Sequence, residues 1–348
     1  MIFKIAFRNL FRNARRTALT AGALRISLFI LIFAGAFIGG IEESTVNVLI
    51  KTDTGLARVG TKGYFARADD WDLDAVLRID ETEAFQKAFA VKFPADRAVA
   101  RVTFRAEVSD GRFTTRVRGM GVESPRYFAT FKMTLKSGNF SMPSATASTP
   151  LWMGASLAKD FGANIGDVFT LAAKTRHGSY TANTFVLQGI VEAGNPVIDF
   201  NTVFIPLGQA QALLDMTGEV TEIILSGDRR NKSQNFVRWT HENFPGLNIR
   251  DWIDESRPIR ELSTLRRKAL RILLGGILLI ALSGIANTML IACFERKKEI
   301  GMMKALGLSV GPLVRMILIE GILIGLLGAV LGFSTAWPLS VYLEKRGI

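Results

Sequence analysis

Residues 272–309 read ILLGGILLIALSGIANTMLIACF followed by ERKKEIGMMKALGLS. The first part, Ile272 to Phe294, carries no charge and exceeds the roughly 20 residues needed to cross a hydrocarbon core about 30 Å thick. The second part turns abruptly polar with Glu295, Arg296, Lys297, Lys298 and Glu299, then Lys304. Such a basic flank marks the cytoplasmic end of a span. The charges occupy one side of a short helix, while Ile300, Met303 and Leu306 recur every third residue and offer an apolar stripe. Gly307 is a natural helix stop. A plain membrane anchor needs neither the stripe nor the paired glutamates, so this loop is expected to dock on a partner.

Two further apolar runs flank this one at a distance. Ala18 to Ile41 is apolar apart from Arg25, whose long stem lets its head reach the cytoplasmic surface. It is too long for the apolar region of a signal peptide, and no A-x-A-like cleavage site precedes Glu42-Glu43. Leu313 to Trp337 holds Arg315 and Glu320 near its start. It also carries Gly321-x-x-x-Gly325 and Gly328-x-x-x-Gly332, spacings that let a neighbouring helix approach closely. Before the first run, Ile2, Phe3, Ile5, Ala6, Phe7, Leu10 and Phe11 alternate with Lys4, Arg8 and Arg12, as in an amphipathic helix on the inner leaflet.

These runs define a membrane protein with α-helical transmembrane spans and one large α+β domain. The basic flanks put the N-terminus and the 295–312 loop inside, and the middle of the chain and the C-terminus outside. The expected order is a cytoplasmic amphipathic helix over 1–17, spans over 18–41, 269–294 and 313–337, and an outer domain with stalk helices over 42–268. A cytoplasmic coupling helix lies in 295–312, and 338–348 form an outer end. Arg266, Arg267, Lys268 and Arg271 at the outer end of the second span run against this orientation, but they follow a long translocated domain, where the charge rule has little force.

The formal net charge is +12, and 49% of the 348 residues are hydrophobic. The span flanks account for many of the basic residues, and no helix-turn-helix or zinc pattern accompanies them, so nucleic acid is not an expected partner. Cys293 is the single cysteine, so the outer domain must fold without a disulfide. His177 and His241 are too few for a typical zinc site, and no metal or cofactor is expected. No G-x-x-x-x-G-K-[ST] loop occurs, so the chain has no Walker-type ATP site. Ser156, His177 and Asp199 form a triad only on paper, without a nucleophile-elbow context, and no catalytic residue is expected.

Within the outer domain, strand-like runs cover Ala98–Val108, Arg112–Gly119, Val168–Ala173, Thr184–Val191 and Glu222–Leu225, with an Asp110-Gly111 hairpin turn. Helical patches cover Ser156–Phe161, Leu207–Asp215 and Asn231–Glu242. Ser141–Pro150 reads as a loop or subdomain joint. Asp254 to Arg271 has apolar residues at 3/4 spacing and should run as a helix into the second span, with Pro258 in its first turn. Glu42 to Ile50 should extend the first span in the same way, so that two helices form a stalk.

The 295–307 segment resembles the E-R-[RK]-[RK]-E-I-G-x-x-[RK]-A-L-G signature of FtsX-like ABC permeases, a superfamily that includes lipoprotein-release permeases, the macrolide exporter and the cell-division permease. Ala6-Phe7-Arg8-Asn9-Leu10 with Arg15-Arg16-Thr17 is similar to the family's opening. Leu157-Ala158-Lys159 with Gly166-Asp167 is similar to its periplasmic core, and Thr54-Gly55 and Gly194-Asn195-Pro196 to its lipoprotein-release branch. The resemblance implies a bacterial inner-membrane permease with its large domain in the periplasm. It further implies a separate ABC ATPase subunit docked beneath the loop, a second permease copy or homologue, and lipoprotein or lipid cargo handled outside by transmitted motion. The implied ATPase contact is Glu295, Arg296, Lys298, Glu299, Ile300, Gly301, Met303, Lys304, Ala305, Leu306 and Gly307. Gly321, Gly325, Gly328 and Gly332 are the expected helix-packing positions, and Glu320 fills a position where the family has glutamate. The family has four spans; this chain stops eleven residues after Trp337, so the fourth is expected to be missing from it. The competing class is a non-transporting membrane sensor or scaffold that regulates an envelope enzyme.

The topology has a direct check. In a Cys293→Ser background, single cysteines at Asp110 and Lys298 should react with an impermeant maleimide from opposite sides of the membrane. Labelling of both from one side removes the three-span arrangement.

Overall fold

Among the described residues three helices are long and apolar enough to cross a membrane: Thr17–Thr54, Arg257–Glu295 and Val310–Leu343. The computed structural model describes residues 14–66, 73–141, 149–305, 307 and 309–345. Most of the expected N-terminal amphipathic helix therefore lies outside the described residues, as do most of the 141–150 loop and Leu306. The chain divides into two compact units, Met1–Thr45 with Pro258–Ile348, and Val46–Arg257.

In the first unit, a helix over Ala14–Leu49 carries the first apolar run and begins four residues before it. The second run lies in one uninterrupted helix, Arg257–Glu295, which starts at Arg257 because Trp252–Glu255 forms a short helix of its own. Pro258 sits in the first turn of the long helix, where a missing N–H costs no bond. The third helix, Val310–Lys345, continues past the expected end at Trp337 and through Pro338. Ala21, Met289 and Ile324, one residue from each helix, form a small buried cluster with Ile285 and Ile317 packed against it. The glycine spacing divides in two. A Cβ on Gly328 would come within 2.9 Å of the Leu24 Cβ, and one on Gly332 within 3.0 Å of the Arg25 carbonyl. Only glycine lets those helices approach so closely. A Cβ on Gly321 or Gly325 would meet no other part of the described residues within 4 Å. Farther along, Arg267 donates to Glu42 at 2.6 Å and pairs the two helices that were expected to form a stalk.

Among the described residues the second unit holds twelve strands. The first six are β1 (Ala57–Gly60), β2 (Leu77–Arg78), β3 (Arg97–Ser109), β4 (Thr114–Val122), β5 (Thr134–Gly138) and β6 (Pro150–Gly154). The others are β7 (Val168–Lys174), β8 (Tyr180–Glu192), β9 (Thr202–Pro206), β10 (Glu219–Val220), β11 (Glu222–Ser226) and β12 (Asn248–Asp251). The main sheet runs β12-β1-β11-β3-β4-β9-β6-β8-β5, and β7 pairs with both β3 and β8. The strands β3, β4, β9, β6, β8 and β7 thus close a ring of pairings, which removes free edges. The β3–β4 turn is longer than the expected Asp110-Gly111 pair, because the Asp110 carboxylate accepts from the Arg112 and Phe113 N–H groups and holds both out of the strand. β6 starts at Pro150, inside the segment read as a joint, and is buried at every position. The expected helices occur at Ala155–Phe161, Leu207–Leu214 and Ser233–Asn243.

One core gathers Met120, Tyr127, Phe128, Trp152, Ile198 and Phe204 with their neighbours. A second is aromatic. The helix Ile79–Lys92, absent from the expectations, presents Phe85 and Phe89 to Phe236 and Trp239 with ring centroids 5.1–5.8 Å apart. Such edge-on pairs add roughly 0.5–1.5 kcal/mol each beyond area burial.

The second unit also holds a buried charge network. Arg101 of β3 faces Glu222 of β11 across the strands, and its Nε donates to Glu222 at 2.7 Å. Its Nη1 reaches the Asp53 carboxylate at 3.0 Å and the Asp53 carbonyl at 2.8 Å. Arg118 of β4 holds the other Asp53 oxygen at 2.8 Å. Arg58 of β1 joins Glu222 at 2.6 Å to Glu255 at 2.8 Å. Asp53 belongs to the π-turn Ile50–Thr54 that ends the first long helix, and Glu255 lies two residues before Arg257 begins the second. Gly55, with φ +63°, closes the turn; a Cβ there would lie 2.5 Å from the Leu225 carbonyl oxygen.

The pairing shows in the titration of these groups. Burial alone would raise the Glu222 carboxyl, but Arg101 and Arg58 outweigh it and hold its pKa at about 2. Burial and the Glu222 charge push the Tyr64 hydroxyl up to about 12. Because the folded pKa of Glu222 lies below its ordinary 4.5, its stabilisation is full above pH 4.5 and is lost as pH falls towards 2. Thermal unfolding of the chain in detergent, followed by tryptophan fluorescence, should show a falling Tm across that window. Glu222→Gln should flatten the acid limb and cost about 3–5 kcal/mol at neutral pH, since it leaves two buried guanidinium groups short of a counter-charge.

Candidate docking site

Glu295 is the last residue of the helix Arg257–Glu295, and the expected docking helix begins at Lys297 and runs to Ala305. Arg296 alone separates the two. The Arg296 N–H still bonds to the Ala292 carbonyl at 3.2 Å, and the Ile300 N–H to the Arg296 carbonyl at 2.9 Å. The chain therefore bends without losing its hydrogen bonding. Gly307 ends the segment with φ +90°, a conformation costly for any residue with a Cβ, and its N–H bonds to the Lys304 carbonyl at 3.0 Å.

The side chains separate into two sets. Arg296 turns inward, 11% exposed, and its Nη1 lies 3.4 Å from Glu320, which is 5% exposed. Ile300 is half-buried and, with Met289, Cys293, Met316 and Ile317, lines a small cavity beside that ion pair. Lys298, Gly301, Met302 and Ala305 are exposed and fall at i, i+3, i+4 and i+7, one face of the helix. Glu295, Lys297 and Lys304 are also exposed. Of the expected stripe, Ile300 thus packs towards the chain's own spans, and Leu306 lies outside the described residues. Met302, 62% exposed, is an apolar side chain on the open face that the three-residue spacing passed over.

Residues 271–347 match the family model described as FtsX-like permease C-terminal. Over this segment the chain is similar to FtsX-like permeases. It is similar to the lipoprotein-releasing system transmembrane protein LolC of Neisseria meningitidis, 23% identical over 192 residues, which are 52% of this chain and 45% of that one. It is also similar to the ABC transporter permease YtrF of Bacillus subtilis, 45% identical over 62 residues, 18% of this chain and 14% of that one. The chain thus spans about half the length of LolC and much less of YtrF. A solved structure, the periplasmic region of MacB from Actinobacillus actinomycetemcomitans, aligns with 61% of this chain and 95% of its own at 12% identity and a TM-score of 0.42.

In this FtsX-like segment the Arg296–Glu320 pair is the feature that spacing alone did not reveal. Both residues were singled out, Arg296 as a partner contact and Glu320 as a family position. The signal that joins them is a charge inside an apolar helix, which needs a counter-charge when water is excluded. The paper triad does not assemble as one: the Asp199 carboxylate accepts from the Ala193 N–H, and His177 lies 3.6 Å from Asp215.

Removing one member of the latch should cost more than removing both. Arg296→Met or Glu320→Met should each lower the Tm of the detergent-solubilised chain, and the double variant should recover part of the loss, as for other buried ion pairs. Additive losses would show that the two side chains act separately.

Proposed function

We propose that this chain is the permease subunit of a bacterial ABC transporter that passes motion from a cytoplasmic ATPase to a domain outside the membrane. The exposed face Lys298, Gly301, Met302 and Ala305 carries this reading. It is a short helix strung between two membrane helices, one apolar side chain wide and edged by Lys297 and Lys304. That shape suits a groove on a partner, with Met302 as anchor and the charges as rim. A push on the helix would reach the third span through Arg296 and Glu320. It would also enter the helix Arg257–Glu295 directly, since the backbone hydrogen bonds cross the bend.

The residues that enter the outer domain support the same reading. The helix Ala14–Leu49 ends in the turn that carries Asp53, and Glu255 precedes the helix Arg257–Glu295, so both chain crossings are rooted in one network of paired charges. A root of this kind transmits displacement instead of absorbing it. In this reading the ATPase is a separate subunit, the permease works as a pair with a second copy or homologue, and Gly321 and Gly325 are open to that partner. The membrane is the bacterial inner membrane, the domain lies in the periplasm, and the cargo is a lipoprotein or another lipid-like molecule, as the name of the LolC relative suggests. No chemistry is assigned to the permease itself; ATP hydrolysis belongs to the partner.

Met302→Asp should abolish both co-purification with a co-expressed ABC ATPase and stimulation of its hydrolysis, because a buried anchor is worth about 2 kcal/mol or more. Lys297→Ala should change either by little and mainly at low salt. If Met302→Asp keeps both activities, the helix is only an anchor and the sensor or scaffold role takes over.

A further inference from the structure

The domain unit contains a cavity of about 530 Å³ that neither the charge network nor the docking helix uses. Its walls come from five separate places in the chain, one of them Ser226, Gly227 and Asp228 at the end of β11. The end of the first long helix and its π-turn supply Val48, Ile50, Lys51 and Thr52, and the start of β3 supplies Arg97. The segment after the short helix Arg126–Thr130 supplies Phe131, Lys132 and Met133, and the loop after β8 supplies Ala193. Its size falls within the range of small-molecule sites, about 300–1,000 Å³.

The lining sorts by depth. Ile50, Phe131 and Met133 are buried and make an apolar floor. Lys51, Arg97 and Lys132 are exposed and stand at the rim. None of the three has a carboxylate within ion-pair distance among the described residues, although almost every other arginine on the central strands has one. Asp228 is the single acid among the described lining residues, so the rim is positive. Lys132 is also held at φ 49°, a backbone region that a residue with a Cβ seldom adopts. That conformation places the lysine at the rim.

An apolar floor under three unpaired cations selects a ligand with an apolar tail and an anionic head. We propose that this cavity binds a single-chain anionic amphiphile, the head bridged by Lys51, Arg97 and Lys132 and the tail lying on Ile50, Phe131 and Met133. The tail would touch the turn that ends the first span, whose Thr52 is tied to Asn195 by a 2.9 Å hydrogen bond. Occupancy would therefore be felt where the helix is rooted in the domain. The site stands by itself: binding needs no ATPase and no transport.

The test uses the full chain in phosphatidylcholine nanodiscs, with empty discs subtracted, and octyl phosphate as probe. Octyl glucoside supplies the tail without the charge, and inorganic phosphate the charge without the tail. Octyl phosphate should bind saturably and displace neither control, because neither control binds. Lys51→Glu combined with Arg97→Glu should weaken it roughly tenfold, the loss of two exposed charge contacts plus their repulsion. Ala193→Trp should block the cavity without altering its charge, and Lys51→Gln with Arg97→Gln gives a milder second pair whose Tm should match the parent. Equal binding of octyl glucoside, saturation by inorganic phosphate alone, or unchanged affinity in the charge and the blocking variants overturns the proposal.

Discussion

Burying three guanidinium groups and three carboxylates in one place sets the terms for the whole domain. An ion moved from water to a protein interior loses several kcal/mol of hydration, and only close, complete pairing offsets it. Arg101 meets that condition by bonding to Glu222, Asp53 and the Tyr127 hydroxyl at 2.7–3.0 Å. Glu222 completes its own set with Arg58, Thr103 and Tyr64. Shifting β11 by one residue against β3 would carry Glu222 to the opposite face and leave Arg101 bare. The network therefore holds the strand register and, through Asp53 and Glu255, the points where two long helices leave the domain.

The membrane helices rely on the same physics with fewer groups. With little water present, an unpaired charge is expensive, so Glu320 and Arg296 are held together although they are 24 residues apart in sequence. Where no charge is available, backbone approach takes over: Gly328 and Gly332 let the first helix within about 3 Å of where their Cβ atoms would be. Gly321 and Gly325 share the spacing, but a Cβ on either would meet nothing within 4 Å among the described residues. Glu42 and Arg267 pair nearer to water, half-exposed, where such a bond is worth less, roughly 0–1 kcal/mol.

Sequence reading recovered the elements whose pattern is long and repetitive. β3 and β8 run thirteen residues each and were read within a few residues of their ends. Two short buried strands escaped. β6 and β9 are buried along their entire length, so the alternation that marks a half-exposed strand is absent. The helix Ile79–Lys92 buries only Thr82, Phe85 and Phe89, a stripe too narrow to stand out beside its charged residues. At the docking helix the spacing of Ile300, Met303 and Leu306 predicted an apolar stripe, of which the described side chains include Ile300 alone. It could not say that Ile300 would be taken up by the chain's own spans, leaving Met302 outside.

Composition and periodicity by themselves located three helices long and apolar enough to cross a membrane and a large mixed domain between the first and second of them. They also marked residues 295–307 as a candidate site, because span length, basic flanks and helical spacing are local properties written in consecutive residues. The tertiary structure decided which charges meet. Arg101 and Glu222 are 121 residues apart, and Arg58 and Glu255 are 197 apart. Each reads alone as an ordinary surface charge until folding removes the water around it and makes its partner obligatory. The cavity beneath Lys51, Arg97 and Lys132 arises in the same way, from segments that only the closed sheet brings together.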